Sequence, residues 1–239
     1  MANAVVLETR GLTMRFGGVV AVDRVDFTLR ERELRCLIGP NGAGKSTFFK
    51  CLTGQLKPSA GDILLRDLHV GGLEPNQIAN HGVGIKTQVP SVFDGLSVHE
   101  NIWLAARRDH PAVQADRRTD ETMERLRLTD IRDRDVGQLA HGQRQWVELG
   151  IVMAREPWLI LLDEPTAGMT HEEVERTADL IRELNETTTI IVVEHDMQFI
   201  RAIANKVTVF HQGAILMEDS MEAVSQDARV RDVYLGKAA

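Results

Sequence analysis

Residues 34–50, LRCLIGPNGAGKSTFFK, restrict what this chain can fold into more than any other stretch. An apolar run from Leu34 to Ile38, interrupted only by Arg35, enters a glycine-rich loop that opens into a helix-compatible segment. Gly39, Pro40, Asn41, Gly42, Ala43, Gly44, Lys45 and Ser46 satisfy the pattern G-x-x-x-x-G-K-[ST], and a strand before it with a helix after it is the context that pattern requires. The glycines let the backbone curl around an anion with its N–H groups turned inward. The helix starting near Lys45 adds the positive end of its dipole, Lys45 adds a full charge, and the Ser46 hydroxyl is placed to ligate Mg²⁺. The loop, running on into Thr47, is therefore expected to hold a nucleotide triphosphate. A glycine-rich turn that binds nothing would need neither the lysine nor the serine.

Two further stretches, WLILL (158–162) and IIVV (190–193), are short, wholly apolar and flanked by polar residues, as parallel strands buried on both faces are. They belong in one sheet with the strand before the loop. Between them HEEVERTADLIREL puts Val174, Ala178, Ile181 and Leu184 on one helical face, and Thr170 with Glu173 forms a capping box at its start. The result is a strand–helix–strand unit. LLDEP then sets Asp163 and Glu164 at the carboxyl edge of the sheet, where open parallel sheets bind ligands. There Asp163 would hold Mg²⁺ through the metal's waters, and Glu164 could polarise a water for attack on a γ-phosphate. Taken alone, the acid pair could equally cap the next turn. IIVVEHD carries His195 to the same edge, where it could contact the γ-phosphate or orient the water. Gln88, in GIKTQVP, stands where the nucleotide core meets a helical lobe, and a neutral amide there can ligate Mg²⁺ and still move with the lobe.

The remaining segments surround this core. VVLET (5–9) and VDFTLR (25–30), separated by Gly11, Gly17 and Gly18, read as strands of a small sheet to which DILLRD returns after Pro58 and Gly61. Phe16, alone in the glycine-rich turn, is either a loop aromatic tucked under that sheet or a platform for a purine ring. From Gly95 the pattern becomes helical: Ser97 and Glu100 form a capping box ahead of Ile102, Trp103 and Leu104, and 107–120 reads as a solvated linker or helix face. LAHGQRQWVELG runs into a helix beginning near Gly142, whose free N–H groups make a second anion site. A single nucleotide cannot obviously use both sites from one subunit. KVTVFHQGAILMED reads as a hairpin turning at Gln212 and Gly213, followed by a short helical tail with no extra regulatory domain expected.

A length of 239 residues suits one large domain carrying an inserted lobe. With 43% hydrophobic residues, 26% charged and a net charge of −7, the chain has an ordinary globular composition and lacks the basic footprint of a general nucleic-acid binder. No nucleic-acid partner is expected. Cys36 and Cys51 are no metal-type pair and too few for a disulfide framework, which fits a reducing cytoplasm. No run approaches the roughly 20 apolar residues of a membrane span, and MANAVVLETR lacks the apolar stretch of a signal peptide. Any link to a membrane is expected to run through a partner.

Taken in order, GPNGAGKST, Gln88, LAHGQ, LILLDEP and His195 resemble the ATP-binding subunit of ABC transporters over nearly the whole chain. The resemblance implies an α/β fold: a P-loop NTPase core with a mostly parallel sheet, an N-terminal antiparallel β-subdomain and an inserted α-helical subdomain. It places the β-subdomain at 1–33 and 59–71, the nucleotide-binding core at 34–58 and 155–239, and the helical subdomain at 89–154. It implies ATP and Mg²⁺ as ligands, with Glu164, His195 and Lys45 catalytic and Ser46, Gln88 and Asp163 serving the metal. Phe16 takes the adenine-stacking place. In that family two cassettes pack head to tail, so Leu139, Ala140, His141, Gly142 and Gln143 would close over the partner's ATP, and the helical lobe would receive a coupling helix from a membrane subunit. GVGIKTQVPSVFDGLSVHENIWLA, LAHGQRQWVELG, DEPTAGMTHEE and VEHDMQFIRAIANKVTVFHQG further resemble the branched-chain amino acid and amide importers, and within them the D-type ATP-binding subunit of urea importers. That implies a second ATPase subunit, as a heterodimer or a homodimer, two transmembrane permease subunits and, indirectly, a periplasmic solute-binding protein. The chain would then sit in the cytoplasm, peripheral on the inner face of the plasma membrane.

Three positions depart from the family pattern. Ala140 replaces the usual serine of the signature, Thr170 stands where many cassettes have an aspartate, and Thr87 precedes Gln88 where an aromatic is common. Ala140 and Thr170 leave open a second reading, a nucleotide-gated assembly module with weak hydrolysis of its own. A cassette of DNA repair or translation is disfavoured, because no long coiled-coil insert or second cassette is present.

Overall fold

The computed structural model describes residues 4–88 and 91–235. Its strands are β1 (Val5–Phe16), β2 (Val19–Arg30), β3 (Leu34–Ile38), β4 (Ala60–Leu65), β5 (Leu68–His69), β6 (Val83–Lys86), β7 (Leu159–Asp163), β8 (Thr189–Val193), β9 (Lys206–His211) and β10 (Ala214–Asp219). Its α-helices are α1 (Lys45–Leu52), α2 (Pro75–Asn80), α3 (Val98–Asp109), α4 (Ala112–Arg125), α5 (His141–Met153), α6 (His171–Asn185), α7 (Met197–Ile203), α8 (Met221–Gln226) and α9 (Ala228–Leu235).

The strands make two sheets, an antiparallel one in the order β2-β1-β4-β5 and a second in the order β10-β9-β3-β8-β7-β6. In the second, every neighbouring pair is parallel except β9 with β10, which form a hairpin. Gln212 and Gly213, both at positive φ, make its two-residue turn, the geometry that matches the twist of the flanking strands. β3, β7 and β8 are buried at every position, which is why their sequences are mostly apolar with no alternation, Arg35, Asp163 and Thr189 being the buried polar exceptions. Alternate residues still go to opposite layers: Leu34, Cys36 and Ile38 face the helical side, and Leu37 faces the antiparallel sheet. α1 lies in that second layer, where the Phe48 ring meets Phe27 at 5.5 Å and Phe210 at 5.1 Å.

Several elements differ from their sequence reading. β1 and β2 run 12 residues each, well past 5–9 and 25–30, because Gly11 does not end β1: its φ of 56° accommodates an irregularity in the ladder and its N–H donates to Asp26 Oδ1 at 2.6 Å. Of the two readings of 107–120, the helix is what forms, since α4 buries Ala115, Thr119, Thr122 and Met123. α2 and the edge strand β6 are additions, each too short to carry a period. The expected start of the helical lobe at residue 89 lies outside the described residues.

α3 and α6 start where the capping residues stand. Ser97 Oγ accepts from Glu100 N–H at 3.1 Å while Glu100 returns to Ser97 N–H at 2.8 Å, and Thr170 with Glu173 repeats the arrangement ahead of α6. α5 is held from two sides. Trp146 donates to Thr177 Oγ1 at 3.0 Å with the Arg176 guanidinium 3.7 Å over its ring, and Glu148 pairs with Lys86 at 3.2 Å. Among the described residues no helix is long and apolar enough to cross a membrane.

Candidate active site

β3, β8, β7 and β6 lie side by side and parallel, so their carboxyl ends share one edge. Each end carries one group of the expected set: the glycine-rich loop after β3, His195 after β8, Asp163 and Glu164 at β7, and Gln88 after β6. Residues far apart in sequence thus converge through strand order, with neighbouring strands about 5 Å apart.

The loop from Gly39 to Ser46 is built for close approach. A Cβ on Gly39, at φ 149°, would stand 2.3 Å from the Phe210 carbonyl oxygen, and one on Gly44, at φ 104°, 2.5 Å from that of Ala21. No other residue fits either place without moving backbone. Gly44 is the N-cap of α1, so the first turn of that helix presents its N–H groups to the loop. Lys45 Nζ folds back on the loop, donating to the carbonyls of Gly39 at 2.6 Å and Pro40 at 3.1 Å. Burial holds its ammonium below the usual lysine range, against the opposing pull of Glu164 and Asp163.

Facing the loop across a cavity of about 420 Å³ are Phe16, Glu164, Glu194 and His195. One oxygen of the Glu164 carboxylate is hydrogen-bonded, Gln88 Nε2 donating to Oε2 at 3.0 Å, and His195 Nδ1 stands 3.6 Å from the other, beyond a direct hydrogen bond. Its backbone takes φ 45°, an uncommon value for a non-glycine residue, which turns the chain sharply out of β7. Asp163, one residue earlier, is buried, and that burial together with the neighbouring Glu164 charge pushes its carboxyl up to about 6. A buried, destabilised carboxylate at a strand end is suited to a cation. Among the described residues no three His, Cys, Asp or Glu side chains cluster to hold a metal by themselves. One carboxylate, one hydroxyl at Ser46 and one amide at Gln88 would together suit an ion that keeps waters and phosphate oxygens as its other ligands, as Mg²⁺ does. Phe16 is 47% exposed on the cavity wall, free to meet a flat ring.

The 139–143 segment lines no part of this cavity. Ala140 is the N-cap of α5 and is exposed together with His141, whose Nε2 lies 2.8 Å from the Ala167 carbonyl oxygen. Leu139 is buried in the core, so its side chain is not on the outward surface with its neighbours; it anchors the segment instead. Gly142 is buried against Glu173: a Cβ there would lie 2.3 Å from Glu173 Oε1.

Glu194 is the site residue that sequence reasoning did not single out. Its side chain, 1% exposed, accepts from Thr166 and His195 backbone N–H groups at 3.2 and 2.8 Å. The only sequence signal was an acid ending an otherwise apolar run beside His195.

The model of the ABC transporter family matches residues 22–167. The chain is 38% identical over 250 aligned residues to the high-affinity branched-chain amino acid transport ATP-binding protein LivG of Salmonella typhimurium, covering 97% of this chain and 98% of that one. It is 34% identical to the corresponding protein BraF of Pseudomonas aeruginosa, covering 98% of each. The solved ADP conformation of MJ1267, an ATP-binding cassette of an ABC transporter, superposes with a TM-score of 0.88 over 98% of this chain and 100% of that one; at 24% identity it shows the shared fold. The chain belongs to the ABC transporter family, as one of its ATP-binding, ATP-hydrolysing cassettes.

Proposed function

We propose that the chain energises import of a small polar solute, hydrolysing ATP at the edge shared by β3, β8, β7 and β6. The observation that carries this reading is the place of Glu164 opposite the phosphate loop, with a hydrogen bond from Gln88 on one oxygen and the His195 ring beside the other. Lys45 and the loop amides hold the phosphates, Phe16 stacks on the adenine, and Glu164 takes the proton of the attacking water, which His195 orients. Ser46, Gln88 and Asp163 would hold Mg²⁺, which when bound neutralises charge on the phosphate oxygens. Gln88 reports the state of the helical lobe to Glu164, because it leaves the edge strand that ends at that lobe. The work is divided among a β-subdomain (1–33 and 59–71), a nucleotide core (34–58 and 155–239) and a helical lobe (89–154).

The exposed Ala140 and His141, with Gly142 and Gln143 behind them and Leu139 as their anchor, close over the ATP of a second cassette, in a heterodimer or a homodimer. Two permease subunits bring the pair to the inner face of the plasma membrane, and a periplasmic protein supplies the solute. LivG and BraF support a branched-chain amino acid as that solute. The likeness of 82–105, 139–150, 163–173 and 193–213 to D-type subunits supports urea or a short amide. Solute binding by the periplasmic protein that co-purifies with the chain separates the two.

Glu164→Gln is expected to retain ATP and lose about 10²–10⁴-fold in hydrolysis rate. A wild-type rate for this variant in the assembled complex overturns the reading. The second reading, an assembly module with slow hydrolysis, is favoured by Ala140, which has no hydroxyl to donate to the partner's γ-phosphate, and by Thr170. Replacing the catalytic glutamate of one cassette at a time tells the two apart.

A further inference from the structure

We propose that Glu194 is a positioning residue whose carboxylate locks the turn after Glu164 to the turn that carries His195, keeping the two side chains at one spacing. The inference rests on the ATPase reading above and assigns a role to a residue given none so far. The backbone ladder between β7 and β8 runs out at this edge: Asp163 is opposite Val193, and the last bond is Glu164 N–H to the Val193 carbonyl at 2.9 Å. Beyond it Glu164 turns away at φ 45°, and no further backbone bond joins the two turns among those described.

The Glu194 side chain takes over there. Oε1 accepts from the Thr166 N–H at 3.2 Å and from the Thr166 hydroxyl, while Oε2 accepts from the N–H groups of His195 at 2.8 Å and Asp196 at 3.4 Å. His195 Nδ1 is also 3.4 Å from Oε2 and 3.6 Å from Glu164 Oε1, so the imidazole stands between the two acids. One oxygen serves each turn. The carboxylate is almost fully buried, and its four hydrogen-bond donors are backbone or hydroxyl groups, so its charge is held by oriented dipoles. A side chain present only to fill space would not place an anion where burial disfavours it. An amide in its place has one acceptor oxygen and turns N–H₂ onto N–H donors, which frees one of the two turns.

The test uses the full chain in the complex that co-purifies with it, measuring the ATP dependence of hydrolysis and thermal unfolding. Glu194→Gln is expected to lower kcat about 10–100-fold, the scale of small misplacements of reacting groups, with KM for ATP within about twofold of wild type. Thr166→Val, which removes only the hydroxyl donor, should shift kcat in the same direction, and Thr166→Ser should restore it; this pair decides the matter if Glu194→Gln does not fold. Wild-type kcat in Glu194→Gln and Thr166→Val overturns the proposal while leaving the ATPase reading intact. So does a loss of kcat that follows KM and melting temperature together, which marks a purely structural role. If wild type does not hydrolyse ATP, or Glu164→Gln hydrolyses it at the wild-type rate, the functional reading fails and the proposal falls with it.

Discussion

Ala140 occupies an N-cap with extended backbone, φ −60° and ψ 155°, yet has no side-chain oxygen to accept from the first turn of α5. Half of a capping box remains, Gln143 Oε1 accepting from the Ala140 N–H at 3.2 Å. Ala140→Ser should therefore stabilise the nucleotide-free chain by about 0.5–2 kcal/mol in thermal unfolding. An unchanged melting temperature would show that the first turn is already satisfied by other means. Asp163 makes the opposite trade. Its carboxyl is raised from 3.8 to about 6, so the folded state binds the proton more tightly than the unfolded chain does. Its contribution to stability is thus greatest below pH 4 and declines as pH rises to about 6. Asp163→Asn is expected to stabilise the nucleotide-free protein above pH 6 by about 1–3 kcal/mol, with the gain vanishing near pH 4. Unfolding midpoints of both proteins across that range check the sign.

Among the elements, β6 and α5 are joined by the Lys86–Glu148 pair, with side chains 4% and 5% exposed, two residues before Gln88 and five after Gln143. Removing one partner leaves a buried charge alone, so Lys86→Met should cost about 3–5 kcal/mol. Adding Glu148→Leu should recover most of that loss, which a double-mutant cycle in denaturant would measure. If the double variant is no more stable than the single, the pair is not the link between these elements. α5 also meets α6 and the turn before it: His141 lies at the Ala167 carbonyl, Gly142 packs against Glu173, and Trp146 meets Thr177 and Arg176. The outward face of α5 and the turn after Glu164 therefore sit on a common support.

Over the whole molecule, Arg35 joins the two sheets from within the strand that leads to the phosphate loop. Its side chain, 1% exposed, donates to Glu33, Thr208, Glu218 and the Thr28 carbonyl oxygen, and its guanidinium lies 4.9 Å over the Phe27 ring. Arg35→Met takes the guanidinium from both carboxylates, leaving Glu33 with the Arg30 N–H and Glu218 with Thr208 and Lys206, and should cost about 1.5–3 kcal/mol, lowering the urea midpoint with the slope of the transition unchanged. Motifs that depend on near neighbours were legible without coordinates. The strand–loop–helix around Lys45, the capping boxes at Ser97 and Thr170, the buried runs of β7 and β8 and the hairpin at Gln212 are each set by backbone sterics and local hydrogen bonds. The same local rules made Glu164 and His195 candidates, and family likeness extended the set to Phe16 and 139–143. Neither could give the length of β1 past Gly11, the edge strand β6, the depth of Arg35 or the partners of Glu194. The last three follow from residues that meet only when elements far apart in the chain are packed together, as Lys86 meets Glu148 and Glu194 meets Thr166. Sequence alone thus determined which chemistry the chain carries, because bonding groups and periods are local. The spacing of that chemistry came from strand order and burial, because a carboxylate's neighbours and its hydration are properties of the folded packing.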